Sequence, residues 1–420
     1  MRLATRRLPE PPAFLRRGPL REGAFPSRLH HPRVAALLGL WLGVAFAVCF
    51  ATGLISHFMQ HPPSWLDWPS RPVDLYRVTQ GVHVITGLAC VPLLLAKLWT
   101  VYPRLWEWPP LRSVAHAAER LSVLPLVAGA IFQLTTGIAN IAQWYRFRFF
   151  FTVTHYWVAW ITIGALAVHV AAKLAVVRVN VGPGRARGLD PDAPLPDASV
   201  PDAVARDVPG PNVPDLGVPA EPPGGGLSRR GLGIAVGTAV GVIAVTNAGQ
   251  FVPGLAALDL LAPRRPDVGP QHLPVNRTAA AARVLAVARD PGYRLDVVGP
   301  RPYSLTLAEL LGWERHTARL PITCVEGWSA DASWHGPRLR DLLDAAGVPP
   351  GATVRVESLE RGGYGMSEVR PPHARDPLTL LATGLNGADL GLDHGYPARL
   401  IAPDRPGVLQ TKWVHRVVML

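Results

Sequence analysis

The chain divides into an apolar front part and a polar rear part rich in turn residues. Five apolar runs reach the length of about 20 residues that a helix needs to cross the hydrocarbon core. The five runs are Val34–Ser56, Val78–Ala96, Leu121–Tyr145, Phe149–Ala172 and Gly231–Leu258. The runs contain no aspartate, glutamate, lysine or arginine, and their ionisable groups are histidines, thiols and tyrosines. This is informative because an aspartate, lysine or arginine at the centre of a membrane helix costs about 3 kcal/mol of insertion free energy. The pattern therefore predicts five transmembrane helices, four in a bundle and one anchor.

The rear part alternates short β-rich runs with turns that contain proline or glycine, which is typical of a mixed α/β domain. One amphipathic helix is predicted from Arg338 to Ala346, with Gly347 ending it. The predicted strands are Tyr293–Val298, Tyr303–Leu307, Arg319–Thr323, Thr353–Glu357, Ala398–Ala402 and Trp413–Met419.

These patterns divide the chain into five parts. They are a basic N-terminus (1–33), a four-helix transmembrane domain (34–178), a linker (179–228), the fifth helix with its leader (229–258) and the α/β domain (270–420). The stretch from Asn180 to Ser228 has eleven prolines and no aromatic residue, so we expect it to be disordered. The leader Leu227–Leu232 contains Arg229 and Arg230 and is similar to a twin-arginine export signal, although two arginines beside a helix are also ordinary flanking charges.

The net charge is +12, with 49% hydrophobic and 17% charged residues. The basic residues flank the apolar runs and do not interleave with aromatic residues, which argues against nucleic-acid binding. Arginines before the first helix and basic residues after the fourth mark the cytoplasmic side. We therefore expect a multi-pass protein of the bacterial cell membrane whose α/β domain lies outside the cytoplasm.

Histidines inside membrane spans are functional candidates by default. His155 and His169 are 14 residues apart on one face of the fourth helix, about 21 Å along its axis. His83 on the second helix lies at the same predicted depth as His155, so the two imidazoles can ligate one iron. This half resembles the cytochrome b type of four-helix bundle and the haem-carrying membrane partner of a bacterial methionine-sulfoxide reductase. The resemblance implies haem b, with His83, His155 and His169 as iron ligands.

The bundle departs from the four-histidine pattern, because Lys97 occupies the position that would pair with His169. A second haem would need another ligand, with His116 and His31 as candidates. Each histidine also has a purely structural interpretation as a hydrogen-bonding or interfacial residue.

Cys324 is the one cysteine of the polar part, so no disulfide framework is expected there. It lies in the run Leu320–Ser329, which resembles the sulfite-oxidase family of molybdopterin enzymes. The resemblance extends over most of residues 276–420. Its further segments are Gly363–Gly365, Asp376–Ala382, Leu385–Gly387, Asp393–Leu400 and Thr411–Val414.

The resemblance implies that Cys324 supplies the protein thiolate on molybdenum and is catalytic. It also implies that the pterin and its phosphate are held by Asn276, Arg277, His394, Arg399, Thr411 and Lys412. Sulfite-oxidising members carry arginines four and five residues after the cysteine, where this chain has Trp328 and Ser329. The run instead resembles the reductase branch, whose substrate class is oxidised methionine.

We therefore expect an oxidoreductase that passes electrons between membrane quinone, haem b and an extracytoplasmic molybdenum centre. The expected reaction is oxygen-atom transfer from a small or protein-bound sulfoxide. Two alternatives remain open on the sequence. One is a dehydrogenase of sulfite or another small reductant that feeds electrons to quinone, and the other is a haem electron-transfer protein whose outer domain lacks a metal.

Overall fold

A computed structural model describes residues 10–21, 23–110, 114–146, 148–181, 227–252, 254–260 and 264–420. Its front part is helical: α1 (Ala13–Arg17), α2 (Pro32–Gln60), α3 (Leu75–Val101), α4 (Val114–Ile141), α5 (Phe151–Val181) and α6 (Arg229–Ala248). The five helices from α2 to α6 are long and apolar enough to cross a membrane. Helix α2 packs against α3 and α5, α4 packs against α5, and α6 packs against α3.

The helices α2, α3 and α5 end beyond the predicted spans, whereas α4 and α6 end before them. Helix α4 ends at Ile141, four residues before the predicted end, because Gln143 adopts a left-handed backbone with φ 54°. Helix α6 ends at Ala248, and the segment predicted as its last turns forms a separate short 3-10 helix, Ala256–Leu258. Gly254, with φ +87°, lies between them and cannot continue a right-handed helix. Most of the predicted linker, and residues 1–9 and 22 of the basic N-terminus, lie outside the described residues.

The rear part is a mixed α/β domain, as predicted. Its strands are β1 (Arg294–Val298), β2 (Tyr303–Thr306), β3 (His316–Thr323), β4 (Ser329–Gly336), β5 (Val354–Ser358), β6 (Met366–Val369), β7 (Leu380–Ala382), β8 (Gly384–Leu385), β9 (Ala388–Asp389), β10 (Arg399–Ile401) and β11 (Val414–Met419). Its helices are α7 (Leu285–Ala288), α8 (Leu307–Gly312), α9 (Leu339–Ala345) and α10 (Pro371–Ala374). All six predicted strands are present within one to three residues at each end. Strand β4 was not predicted, because its sequence contains no β-branched residue.

The strands form three sheets, ordered β2-β1-β11-β5-β6, β10-β7 and β3-β4-β8-β9. The pairing of β1 with β11 is parallel, and the other ladders are antiparallel. Helix α9 buries Leu339, Leu342 and Leu343 in the core of the five-stranded sheet. Gly347 follows it with φ +70°, as its predicted role at the helix end requires. Cys324 belongs to a second core, built around the sheet that contains β3 and β4.

The α/β domain is hydrogen-bonded to the loop between α2 and α3. The Arg370 guanidinium donates to the Pro63 carbonyl at 2.9 Å. The Asp404 carboxylate accepts from the backbone N–H of Tyr76 at 2.6 Å and from the Trp68 indole at 3.3 Å. Because Tyr76 is in the first turn of α3, a side chain of the domain satisfies a free N–H at the N-terminus of that helix.

Candidate functional site

Cys324 follows β3 in a tight turn. Its N–H donates to the Trp328 carbonyl at 2.8 Å, and the Gly327 N–H donates back to the Cys324 carbonyl at 3.1 Å. Gly327 has φ +85°, a conformation that glycine adopts without strain. The thiol is 1% exposed, and burial together with the nearby Glu326 carboxylate raises the pKa of Cys324. The turn holds one soft donor at a fixed position beside the core.

Two cations, one buried and one half-buried, lie within electrostatic reach of that sulfur. Arg399 is 5% exposed and donates to the His394 carbonyl at 3.1 Å, while its buried Nε has no hydrogen-bond partner. Lys412 Nζ donates to the backbone carbonyls of Asp393 at 2.7 Å and of Arg277 at 2.9 Å. Burial lowers the pKa of Arg399 to about 9 and also lowers that of Lys412, and a charged Cys324 opposes both shifts.

Neither cation pairs with a side-chain carboxylate among the described residues. A buried charge without an ion-paired carboxylate costs several kcal/mol, so the guanidinium of Arg399 fits an anionic ligand such as a pterin phosphate. The described residues contain no group of three or more histidines, cysteines or acidic residues that could hold a metal ion. A metal bound through Cys324 would therefore take its other ligands from the cofactor.

The other predicted pterin residues divide into two groups. His394 Nε2 donates to the Pro270 carbonyl at 2.7 Å, and burial lowers the pKa of His394 to about 4, so this imidazole is neutral at pH 7. Asn276 Oδ1 accepts from Lys412 Nζ at 3.4 Å, so the early loop and the cation lie together. Thr411 is different, because its hydroxyl is buried and hydrogen-bonded to Ser367 at 2.7 Å. This bond joins Thr411 to strand β6, and its role in binding the pterin stays a prediction.

Arg277 is the sixth predicted pterin residue. Its guanidinium forms an ion pair with the Glu360 carboxylate at 2.7 Å. Its backbone carbonyl accepts a hydrogen bond from Lys412. The guanidinium is 41% exposed in this pair, so it stays accessible at the edge of the cationic site.

Three residues near the thiol were not identified from the sequence. Tyr364 lies in a segment that carried the resemblance, but its chemistry was not considered. Tyr145 and Arg264 come from segments that flank α4 and α6. Arg264 lies 3.9 Å from the Glu326 carboxylate and 6.0 Å from the centre of the Trp328 ring. Tyr145 and Arg264 are far from Cys324 along the chain, so no local sequence pattern indicates that they lie near it.

A second candidate site lies inside the helical part, where His83 and His155 face each other. Their ring centroids are 6.4 Å apart and the ring planes are inclined by 71°. Two imidazoles that bind opposite sides of an iron through bonds of about 2 Å hold their centroids roughly 6 Å apart. The predicted pair therefore has the separation of axial haem ligands.

In both rings Nδ1 is the hydrogen-bonded nitrogen, so Nε2 remains available to bind a metal. His83 Nδ1 donates to the Cys49 carbonyl at 2.8 Å. The Thr136 hydroxyl donates to the Phe132 carbonyl at 2.7 Å, so it accepts from His155 Nδ1 at 3.0 Å. Each ring thus carries its proton on Nδ1 and presents an unprotonated Nε2, which is the form that ligates metals.

The two histidines line a cavity of about 570 Å³ between α2, α3, α4 and α5. Most of its lining is apolar, with Phe46, Leu54, Leu134 and Leu166 among the side chains. Its volume lies in the range of cofactor pockets, roughly 300–1,000 Å³. The pocket and its histidines fit a flat apolar prosthetic group.

The remaining histidines do not reproduce this arrangement. Lys97, at the position that would pair with His169, donates to the Ala35 carbonyl at 2.6 Å. His31 caps the start of α2 and accepts from the Arg33 N–H at 3.1 Å. His169 itself lies about 21 Å from His155 along the helix axis. The described geometry therefore supports one histidine pair, His83 with His155.

Comparison with known proteins identifies the rear domain. Residues 282–420 match the family described as "Oxidoreductase molybdopterin binding domain". The chain is 32% identical over 166 residues to mitochondrial sulfite oxidase of Drosophila melanogaster, covering 35% of this chain and 29% of that protein.

Two further relatives have other named activities. The catalytic subunit of a protein-methionine-sulfoxide reductase of Gluconobacter oxydans is 31% identical over 162 residues, which is 31% of this chain and 51% of that subunit. A nitrate reductase of Hordeum vulgare is 41% identical over 97 residues, covering 20% of this chain and 11% of the reductase. The chain thus spans about half or less of the length of these relatives.

Proposed function

Since the rear domain is a molybdopterin-binding oxidoreductase domain of the sulfite-oxidase type, we propose that the chain is a membrane-bound molybdenum oxidoreductase. Haem b between His83 and His155 exchanges electrons with membrane quinone and with a molybdenum centre on Cys324. The domain lies outside the cytoplasm of a bacterial cell, and the enzyme reduces a sulfoxide. The overall change is R2SO + 2e⁻ + 2H⁺ → R2S + H2O.

The observation that carries the proposal is the pair of cations, the buried Arg399 and the half-buried Lys412, in the surroundings of the buried thiol of Cys324. An inert cysteine needs no positive charge in its surroundings, and a buried guanidinium is costly without an anion. Arg399, Lys412 and Asn276 would hold the pterin and its phosphate, with the neutral His394 donating to Pro270 and fixing the loop. The bound cofactor supplies two-electron oxygen-atom transfer.

The residues after the thiol support reduction as the direction of the reaction. Trp328 is 3% exposed and its indole donates to the Glu326 carboxylate at 3.1 Å. An apolar ring and a carboxylate at this point are poor partners for an anion such as sulfite and are compatible with a neutral sulfoxide. We therefore place reduction of a sulfoxide ahead of oxidation of sulfite.

Purified full-length protein tests the proposal. We expect elemental analysis to find molybdenum and a dithionite-reduced optical spectrum to show a haem b with two histidine ligands. Methionine sulfoxide should be turned over, and Cys324→Ser should abolish turnover without changing the haem spectrum. Turnover of sulfite alone would reverse the direction, and protein that contains haem but no molybdenum would leave an electron-transfer protein with a metal-free outer domain.

A further inference from the structure

The cavity that contains His83 and His155 has one polar end. Toward the loop between α2 and α3, its lining includes the polar side chains of Ser56, His57, Gln60, His61, Gln80 and Asn140. Apolar side chains such as Phe46, Leu88, Ile163 and Leu166 line the opposite end. Val325, which follows Cys324, also lines the cavity and is hydrogen-bonded to Asn140. The polar end is therefore the end nearest the α/β domain.

His57 and His61 are the groups of the polar end that can carry a positive charge. No lysine or arginine is among the described residues that line the cavity, and its other two histidines are the candidate iron ligands. His57 lies in the last turn of α2 and His61 directly follows the helix, where the helix dipole favours a protonated imidazole. Their ring centroids are 5.1 Å apart, so two positive charges would repel each other unless an anion lies beside them. The pair is therefore suited to a ligand that carries negative charge.

The position of His57 is fixed relative to the candidate iron ligands. Its ring stacks on Tyr156 of α5, with centroids 3.8 Å apart and planes inclined by 13°. It follows Gly53 by four residues, about 6 Å along α2, and a Cβ atom on Gly53 would lie 2.9 Å from His83 Cε1. His57 thus lies one helical turn beyond the point where the His83 ring meets α2. Neither His57 nor His61 forms a side-chain hydrogen bond within the described part of the chain, so both imidazoles are available to a ligand.

A haem b has the same division into polar and apolar parts as this cavity. Its macrocycle is apolar, and two propionate groups extend from one edge. Burying a carboxylate in an apolar space is costly unless the carboxylate is paired with a cation or hydrogen-bonded. The apolar end of the cavity offers the propionates no such partner, whereas the polar end offers two imidazoles.

We propose that His57 and His61 bind the haem propionates, so that the polar edge of the haem faces the turn that carries Cys324. This inference rests on the proposed function, in which His83 and His155 hold the iron. Protonated imidazoles form charge-assisted hydrogen bonds with carboxylates. Tyr156 is a positioning residue, because it holds the His57 ring through the stacking contact.

The test compares haem with its dimethyl ester, which lacks the negative charges of the propionates. The full chain, produced in cells starved of haem and purified in detergent, is titrated with each porphyrin. The dissociation constant of the ester divided by that of haem measures what the propionates contribute. We expect this ratio to fall by about tenfold or more in His57→Leu/His61→Leu, the scale of a hydrogen bond to a charged group. Comparing the ratio between variants cancels the different partition of the two porphyrins into detergent.

Two further variants separate a charge effect from a structural one. His57→Leu/His61→Arg keeps one cation at the polar end and should recover much of the wild-type ratio. His30→Leu is the matched control, because His30 lies in a short 3-10 helix before α2 and does not line the cavity. It should keep the wild-type ratio.

The midpoint potential of the haem in the purified holoprotein gives a second readout. Ferric iron carries one more positive charge than ferrous iron, so propionates that lose their cations favour the ferric state. The potential should therefore shift to lower values in His57→Leu/His61→Leu, while the optical spectrum of a haem with two histidine ligands is retained. His30→Leu should keep the wild-type potential.

An unchanged ratio of dissociation constants in His57→Leu/His61→Leu would contradict the inference, whatever its haem content. If that variant does not accumulate, His57→Leu and His61→Leu are measured singly, and an unchanged ratio in both has the same meaning. Failure of the proposed function looks different. A wild type that takes up no haem overturns both, whereas haem uptake with an unchanged ratio overturns this inference alone.

Discussion

Asn140 donates a 2.9 Å hydrogen bond to the carbonyl of Val325, and this contact joins the two candidate redox sites. Asn140 lies one helical turn after Thr136, whose hydroxyl accepts a hydrogen bond from His155. Val325 is the residue that follows Cys324. Asn140 and Val325 both line the cavity that contains the histidine pair. The helices that carry the histidine pair and the Cys324 turn are therefore in direct contact, as electron transfer between the proposed haem and molybdenum centres would require.

Haem binding should depend on the hydroxyl of Thr136. Thr136→Val removes the acceptor for His155 Nδ1, so the ring loses its fixed tautomer and orientation, and haem affinity should fall by about 10–100-fold. Haem content per protein, measured by the pyridine haemochrome method, checks this. The control is Thr154→Val on α5, whose hydroxyl makes the same type of bond to the Phe150 carbonyl. Equal haem content in both variants would contradict the assigned role.

Gly53 provides the space that His83 occupies. A Cβ atom there would lie 2.9 Å from His83 Cε1, so Gly53→Ala should displace the ring and lower haem content or shift the haem spectrum. Gly43→Ala on the same helix is the matched control, because its Cβ meets nothing within 4 Å. An unaltered spectrum in Gly53→Ala would show that His83 does not bind iron in the described orientation.

The buried guanidinium of Arg399 should be needed to bind the pterin cofactor. Arg399→Met removes the positive charge and keeps an apolar stem of similar length, so bound molybdenum should fall by about tenfold or more, since charge-assisted hydrogen bonds to the cofactor are lost. Metal analysis of purified protein measures this. Arg294→Met, at an exposed arginine of β1, should retain its molybdenum. Full metal content in Arg399→Met would remove the main support for the proposed function.

The contact between domain and helices should weaken as pH rises. Burial and the nearby Asp74 raise the pKa of Asp404 to about 7, against bonds from Tyr76 and Trp68 that lower it. A carboxyl whose pKa is higher in the folded than in the unfolded state binds more protons when folded, so its ionisation between pH 4 and 8 costs stability.

Asp404→Asn removes that titration and keeps an oxygen that can accept from the Tyr76 N–H. We expect the melting temperature of the wild type, relative to this variant, to fall by a few degrees between pH 6 and pH 8. Thermal unfolding in detergent at both pH values measures the difference. A wild type that gains stability over the variant on raising the pH would have the opposite sign and refute the assignment.

The sequence by itself determined the five apolar helices, the six predicted strands and the position of Cys324. Each depends on local physics: about 20 uncharged residues favour a membrane span wherever they occur, and β-rich runs between turns favour strands. The pairing of His83 with His155 was also predicted, because matching depth on two helices is a one-dimensional property.

Only the tertiary structure decided which side chains meet across the two parts. Tyr145 and Arg264 lie near the Cys324 thiol, although they precede it in the sequence by 179 and 60 residues. The close contact of Gly327 with Val84 and the Asp404 carboxylate at the start of α3 are of the same kind. Such contacts result from burying two surfaces against each other, and no periodicity or motif in either segment encodes its partner.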